Sequence, residues 1–253
     1  MIDIHNHILP NVDDGAQNID ETLKLLKQAA QQNITGIIAT PHHLHHYYNN
    51  TFDQVEVCVQ KLNALEAVRD LNLIIYPGQE IRVSDQIINE IENGEIKGVN
   101  RSKYLLIEMP TNAVPHYMPS LIYKIQTKGF IPIIVHPERN KAISKDINLL
   151  YQFVSAGALS QLTASSLAGD LGRKIQNQSL QMIEHQLVHF IGSDAHHAEQ
   201  RPFRLGELKK VHRLKDYQNE INEMIENNTK VIENQRITKY QPIETSHKKF
   251  WLF

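Results

Sequence analysis

Met1-Ile-Asp-Ile-His5-Asn-His7-Ile-Leu-Pro-Asn-Val-Asp13-Asp14 opens the chain, and its reading decides the fold. Met1, Ile2 and Ile4 begin an apolar run typical of a buried strand. Side chains alternate faces along a strand, so His5 and His7 point the same way and suit one metal ion. Pro10, Asn11, Asp13, Asp14 and Gly15 form a turn-prone loop that can return a carboxylate to the same place. A His-x-His pair alone is a weak signal, so other parts of the chain have to supply further ligands.

Beyond Asp14, Ile19, Leu23, Leu26 and Ala30 recur at helical spacing over 18–32. Residues 35–40 read as a buried strand stopped by Pro41, with His42 just past its end. Thr51 and Gln54 offer a capping box for a helix to about Leu71, with Phe52, Val55, Val59, Leu62 and Leu65 inward. Further strands are expected over 73–77, 104–108, 131–135, 159–163 and 188–192. Helices are expected over 85–92, 118–128, 146–156 and 170–185, and in a Lys- and Glu-rich stretch from about 203 to 228. Seven strands alternating with helices are the pattern of parallel βα units. Continuous apolar strands imply burial on both faces, which favours a barrel over an open sheet. No repeat or linker divides the 253 residues, so one α/β domain spans 1–253, with a C-terminal extension from about 238.

His5, His7, His42, Glu80, Glu108, His136, Asp194 and His196 all fall at or just after the C-terminal ends of different expected strands. That is the face on which βα barrels carry their active sites. Asp14 completes a set of nine candidate ligands. An octahedral ion takes about six donors, some of them waters, so the set implies two or three ions and a bridging carboxylate, for which Glu80 is favoured. The one cysteine, Cys58, lies mid-helix, which excludes a structural cysteine-zinc site and leaves a nitrogen and oxygen set suited to manganese, iron or zinc. Clustered divalent ions are the usual apparatus for phosphate-ester hydrolysis. Arg139 and Arg201, three and five residues after His136 and His196, can clamp a phosphate.

Composition narrows the alternatives. A net charge of −2 with no basic track argues against a nuclease. A single cysteine argues against disulfides, and no signal peptide or membrane-span pattern appears, so the cytoplasm is the default compartment. A cysteine-dependent tyrosine phosphatase needs an arginine six residues after its thiolate, where Cys58 has Ala64. His43, His45 and His46 read as a solvated loop, Tyr47 and Tyr48 as rim cover with a peptide-guiding alternative, and His116 as a loop residue within reach of substrate. Glu138 reads as an orienting partner or an exposed ion pair, and Arg82 as a rim ion pair. His185, His189, His212 and His247 read as surface or hydrogen-bonded residues. Phe250-Trp-Leu-Phe253 is expected to pack on the barrel or on a neighbouring subunit.

The motifs His5-Asn-His7 with Asp14, Thr40-Pro-His42, Glu80, Glu108, His136-Pro-Glu-Arg139 and Ser193-Asp-Ala-His196 together resemble the PHP (polymerase and histidinol phosphatase) superfamily. The opening His-Asn-His-Ile-Leu-Pro-x-Val-Asp-Asp-Gly is more narrowly similar to the manganese-dependent protein-tyrosine phosphatases of capsule and exopolysaccharide loci, the CpsB/CapC type. The resemblance implies a distorted (β/α)7 TIM-like barrel and a trinuclear centre. In it His5, His7, Glu80 and Asp194 hold one ion, Glu80, Glu108 and His136 a second, and Asp14, His42 and His196 a third, while Arg139 and Arg201 take the phosphate. The implied substrate is the phosphorylated tyrosine-rich tail of a bacterial tyrosine kinase, which would bring the protein to the membrane, with self-association left open. Attack by a metal-bridging hydroxide is the expected chemistry. The rivals are a small-molecule phosphatase of the histidinol-phosphate kind and a non-catalytic metal-bound adaptor in polysaccharide assembly.

Overall fold

The computed structural model describes residues 1–245, so His247 and the aromatic tail 250–253 lie outside the described residues. Among the described residues nine strand segments follow one another: β1 Ile2–Asp3, β2 Gly36–Ala39, β3 His42–His43, β4 Ile74–Pro77, β5 Glu80–Arg82, β6 Tyr104–Glu108, β7 Ile131–Val135, β8 Leu159–Thr163 and β9 Phe190–Gly192. They form two parallel sheets, ordered β1-β2-β4 and β3-β5-β6-β7-β8-β9. β2 and β3 are halves of one stave parted at Thr40-Pro41, and β4 and β5 are halves of another parted at Gly78-Gln79. Pro41 has no N–H to give the ladder. At Gly78 a Cβ would come within 2.8 Å of Ile38 Cγ2.

The nine segments therefore make seven staves, the number expected, but the ladder does not close as a continuous barrel. Between β9 and β1 stands one parallel bridge, Asn6 with Ala195. Two backbone bonds flank it, His7 N–H to Ala195 O at 2.8 Å and Asp194 N–H to His5 O at 2.7 Å. His42 and Glu80 follow the ends of β2 and β4, as expected, but they are themselves in strands. Each heads the second half of its broken stave, and the two are register partners.

Strand faces explain the unbroken apolar runs. In β6, Tyr104 and Leu106 join a cluster with Ile4, Ile38, Ile133, Leu159 and Phe190. Leu105 and Ile107, on the other face, join the larger cluster under the helices. Both faces of the stave are buried, as period-2 alternation requires.

The helix Ile19–Gln31 starts where Asn18 Oδ1 accepts from Glu21 N–H at 3.0 Å. Its buried side is Thr22, Leu25, Leu26 and Ala29, one position round from the expected stripe, and Ile19 is 39% exposed. Thr22 causes the turn: its hydroxyl donates to Ile8 O at 2.8 Å and so faces inward as a polar residue that a hydrophobic count passes over. The helix Phe52–Ala64 buries Phe52, Val55, Val59 and Leu62, but Leu65, extended and exposed where an inward residue was expected, breaks it before one more helical turn, Glu66–Arg69. After Phe203 the chain makes two 3-10 turns, Leu205–Lys210 and His212–Tyr217, before the helix Gln218–Ile232. That helix lies over the join, where Asn228 Nδ2 donates to Ile2 O and Ile191 O at 2.9 and 2.8 Å. No helix among the described residues is long and apolar enough to cross a membrane.

His189, just before β9, is buried, and its Nδ1 accepts from Ser160 N–H. Burial and the neighbouring Lys239 push its pKa down to about 3. Between pH 6.5 and about 3 the unfolded chain therefore binds a proton that the folded one refuses, and stability falls as the pH is lowered through that window. At about 1.4 kcal/mol per unit the full effect is roughly 5 kcal/mol. His189→Gln is expected to lose less stability than the parent between pH 7 and pH 4.5, read from urea midpoints at both values.

Candidate metal centre

All nine expected ligands meet at one mouth. His5 Nε2 and His7 Nε2 lie 3.4 and 3.2 Å from Glu80 Oε2, and 3.6 and 3.5 Å from Asp194 Oδ1. His42 Nδ1 is 3.0 Å from Glu80 Oε2 and 3.8 Å from Glu108 Oε2, while its Nε2 is 3.4 Å from Asp14 Oδ1. His196 Nε2 is 3.5 Å from the same Asp14 oxygen, and His136 Nε2 is 2.7 Å from Glu80 Oε1. Two of these residues, His136 and Asp194, have left-handed backbones at φ 36° and 53°. That conformation is uncommon for a non-glycine residue, and two neighbouring cases aim both side chains into the same site.

Three groups of donor atoms lie within 4.8 Å of one another: His5, His7 and Glu80; His42, Glu80 and Glu108; and His7, Asp14, His42 and His196. The buried atoms His5 Nε2, His7 Nε2, His42 Nδ1, Glu80 Oε2 and Glu108 Oε2 face this space and make no hydrogen bond. Buried polar atoms left unpaired are costly, so their convergence fits divalent cations. Crowding agrees with this: the His7 and His196 rings are 3.8 Å apart, too close for two imidazolium charges but suitable for two neutral donors. The donors are nitrogen and oxygen only, as expected.

Charge is distributed unevenly. Asp194 turns Oδ1 to the histidines and Oδ2 to Arg139 and Arg201, at 2.6 and 2.7 Å. Burial opposes its ionisation, but the two guanidiniums hold it well below the usual carboxylate range. Glu108 meets Arg82 at 3.0 Å. Burial and the like charge of Glu80 raise its pKa. Among the described residues Glu80 and Asp14 form their ion pairs with histidines and not with arginines. Burial works against a charged His42, yet Glu80 and Asp14 push it up to about 10. Burial together with Arg139 presses His136 down to about 4, and burial together with His7 does the same to His196.

Two buried residues outside the expected ligand set stand behind the histidines. Asp13 Oδ2 accepts from His7 Nδ1 at 2.7 Å and from His42 N–H at 3.2 Å, and its Oδ1 accepts from Gly15 N–H. Gln161 Oε1 accepts from His5 Nδ1 at 2.7 Å, with its amide fixed by donation to Leu162 O. Both contacts leave Nε2 of the histidine as the free donor, the usual arrangement behind metal ligands.

Other residues fall where the motifs do not reach. Glu138 is neither exposed nor beside a ligand: its Oε1 accepts from Thr163 N–H and the Ser166 hydroxyl, which anchors the 3-10 turn Pro137–Arg139. His43 pairs with Glu90 at 2.7 Å and is buried, so the loop after His42 is only partly solvated. His116 is exposed against Tyr117 and does not line the mouth. His45 does. The mouth is a cavity of about 350 Å³ lined by ligands, by Arg82, Arg139 and Arg201, and by the apolar Met109, Ile134 and Ile143.

Parallel staves that aim such a donor set and two guanidiniums into one cavity define an α/β metallohydrolase. Residues 1–233 match the profile of the capsular polysaccharide synthesis family CpsB/CapC, and the chain belongs to that family. It is 49% identical over 251 residues to a putative tyrosine-protein phosphatase CapC of Staphylococcus aureus, covering 99% of this chain and 98% of that one. It is 39% identical over 254 residues to the tyrosine-protein phosphatase YwqE of Bacillus subtilis (strain 168), covering all of both. A solved structure from work on YwqE of Bacillus subtilis and CpsB of Streptococcus pneumoniae, described as metal-dependent tyrosine phosphatases, superposes with a TM-score of 0.92 at 39% identity, covering 98% of this chain and 100% of that one. A lactonase of Deinococcus radiodurans shares the fold alone, with a TM-score of 0.51 at 12% identity over 91% of this chain and 94% of that one.

Proposed function

We propose that this chain is a metal-dependent protein-tyrosine phosphatase whose substrate is the phosphorylated tyrosine-rich tail of a bacterial tyrosine kinase that regulates capsule or exopolysaccharide synthesis. The observation that carries the reading is the convergence of the donor set with Arg139 and Arg201 on one cavity, in a chain so similar to tyrosine-protein phosphatases. Three ions are proposed: His5, His7, Glu80 and Asp194 for the first, Glu80, Glu108 and His136 for the second, and Asp14, His42 and His196 for the third. Glu80 belongs to two of the three close donor groups, which supports its role as the bridge. His42 also belongs to two, one with Glu80 and Glu108 and one with Asp14, so it stands between the second and third positions. Manganese is the proposed metal, with iron or zinc compatible with the same donors.

Divalent ions bound at such a site polarise a phosphoryl oxygen and acidify water. The protein's own share is placement. Each guanidinium carries five N–H donors and meets one carboxylate oxygen here, which leaves capacity for phosphoryl oxygens in the cavity both residues line. A tyrosyl leaving group, whose acid has a pKa of about 10, departs more readily than the alkoxide of serine. Cys58 is half-buried and packed against the core under the helices, away from the cavity lining.

Purified protein is expected to lose phosphotyrosine hydrolysis on chelation and recover it with manganese, while Cys58→Ala stays active. Activity that survives metal stripping would overturn the reading. A panel of phosphotyrosine peptide, phosphoserine peptide and amino-alcohol phosphate separates it from the small-molecule phosphatase. Asp13→Asn keeps the size of the side chain but removes the charge behind His7. Isothermal titration with manganese should then give about 10- to 100-fold weaker binding, and a wild-type titration curve would refute the positioning role of Asp13.

A further inference from the structure

The loop after β3 is tightly built, with Leu44, His45 and Tyr48 half-buried, yet it leaves Tyr47 exposed. Leu44 takes a left-handed backbone at φ 55°, and its N–H donates to Asn49 Oδ1 at 3.1 Å. His45 and Tyr48 exchange backbone bonds in both directions, at 3.0 and 3.3 Å. Asn50 pins the far end by donating to Val12 O and His42 O at 3.1 and 2.9 Å, and Gln79 Nε2 donates to Asn50 O at 2.8 Å. This loop presents His45, His46, Tyr47 and Tyr48, of which Tyr47 is 78% exposed. Burial of that ring cannot be the reason for so ordered a loop, since almost none of it is buried.

The rings are also oriented. His45 lies 4.8 Å from His42 and 5.5 Å from Tyr48, with planes inclined by only 21° and 15°. The three near-parallel rings form a compact cluster beside a candidate ligand, with His42 and Tyr48 also only 6.1 Å apart, and Tyr47 lies 5.9 Å from His45. His45 lines the same cavity as Arg139, Arg201, Met109 and Ile143. A phosphate needs only the guanidiniums and cations. A flat ring beside them, with apolar surface in the same cavity, suits the aryl group that carries the phosphate.

Resting on the phosphatase reading above, we propose that loop 44–50 determines specificity for aromatic phosphate esters: His45 is the face against which the phosphotyrosyl ring lies, and Tyr47 is a second face at the rim for the surrounding peptide. Aromatic pairs of this kind contribute enough to change affinity about three- to tenfold.

Steady-state kinetics on the manganese-loaded full chain test this, with a phosphotyrosine peptide as substrate and inorganic phosphate as a ring-free competitive inhibitor. Tyr47→Ala is expected to raise KM for the peptide about three- to tenfold, with kcat, the inhibition constant of phosphate and the melting temperature unchanged. Tyr47→Phe should restore KM, because the ring face and not the hydroxyl makes the contact. His45→Ala should raise KM for phenyl phosphate as well. Should that variant lose metal through its neighbour His42, the Tyr47 pair decides alone. An unchanged KM in Tyr47→Ala, or no rescue by phenylalanine, overturns the role of the loop and leaves the phosphatase standing. A parent protein that turns over no aryl phosphate brings down both.

Discussion

Replacing Glu80 with glutamine is expected to reduce phosphotyrosine hydrolysis about 10²- to 10⁴-fold and to lower the metal content of the purified protein. Glu80 is buried and meets His5, His7 and His42 through Oε2 and His136 through Oε1. Burial disfavours its charge, but the surrounding histidines hold its pKa well below the ordinary value, His5 and His42 foremost. Glutamine keeps the shape and removes the charge that bridges two donor groups. Lewis-acid assistance amounts to several kcal/mol of transition-state stabilisation, and each 1.4 kcal/mol is a factor of ten in rate. Elemental analysis beside single-substrate kinetics checks the result. Full metal content and full activity in Glu80→Gln would refute the bridge.

The second large effect separates phosphate recognition from metal binding. Arg139→Ala and Arg201→Ala are each expected to cut kcat/KM for a phosphotyrosine peptide about 10²- to 10³-fold, the scale of losing one donor aimed at developing negative charge. Metal content should stay at the parent level. Geometry gives the reason: both guanidiniums meet Asp194 at Oδ2, whereas Oδ1 is the oxygen turned toward His5 and His7. One arginine remains on Oδ2 in either variant. If a single replacement released the metals, the arginines would be holding the ligand shell and not the phosphate.

The sequence carried the candidate ligands because their spacing and their place at the ends of apolar runs are local signals. His5 and His7 share a side by strand alternation, whereas Asp194, left-handed at φ 53° just beyond β9, shares the site with His196 for a reason that spacing does not hold. It carried the staves because their apolar runs are continuous. What stood behind the ligands was not legible. Gln161 lies in the strand Leu159–Thr163 with no motif around it, and its bond to His5 spans 156 positions of sequence. Asp13 was visible as a turn residue and as part of the opening motif but with no role attached, though its carboxylate ties His7, Gly15 and His42 together. Neither was the meeting of Arg139 and Arg201 on one oxygen legible, since it depends on how two loops fold back. The buried side of the first helix was misread by one position because a hydroxyl bond to Ile8 outweighed an apolar count.

The loose join between β9 and β1 bears on how the molecule holds itself together. His5 and His7 stand on one side of the Asn6–Ala195 bridge and Asp194 and His196 on the other. Asp3 reinforces it from below by accepting from the backbone N–H of Ser193, 190 positions away. A cation gripped from both sides would act as a clasp on an open bracelet, fastening the chain's first residues to a segment met only after most of the molecule has formed. Loading and folding would then belong to one thermodynamic cycle, in which the affinity of the clasp is added to the durability of the ring.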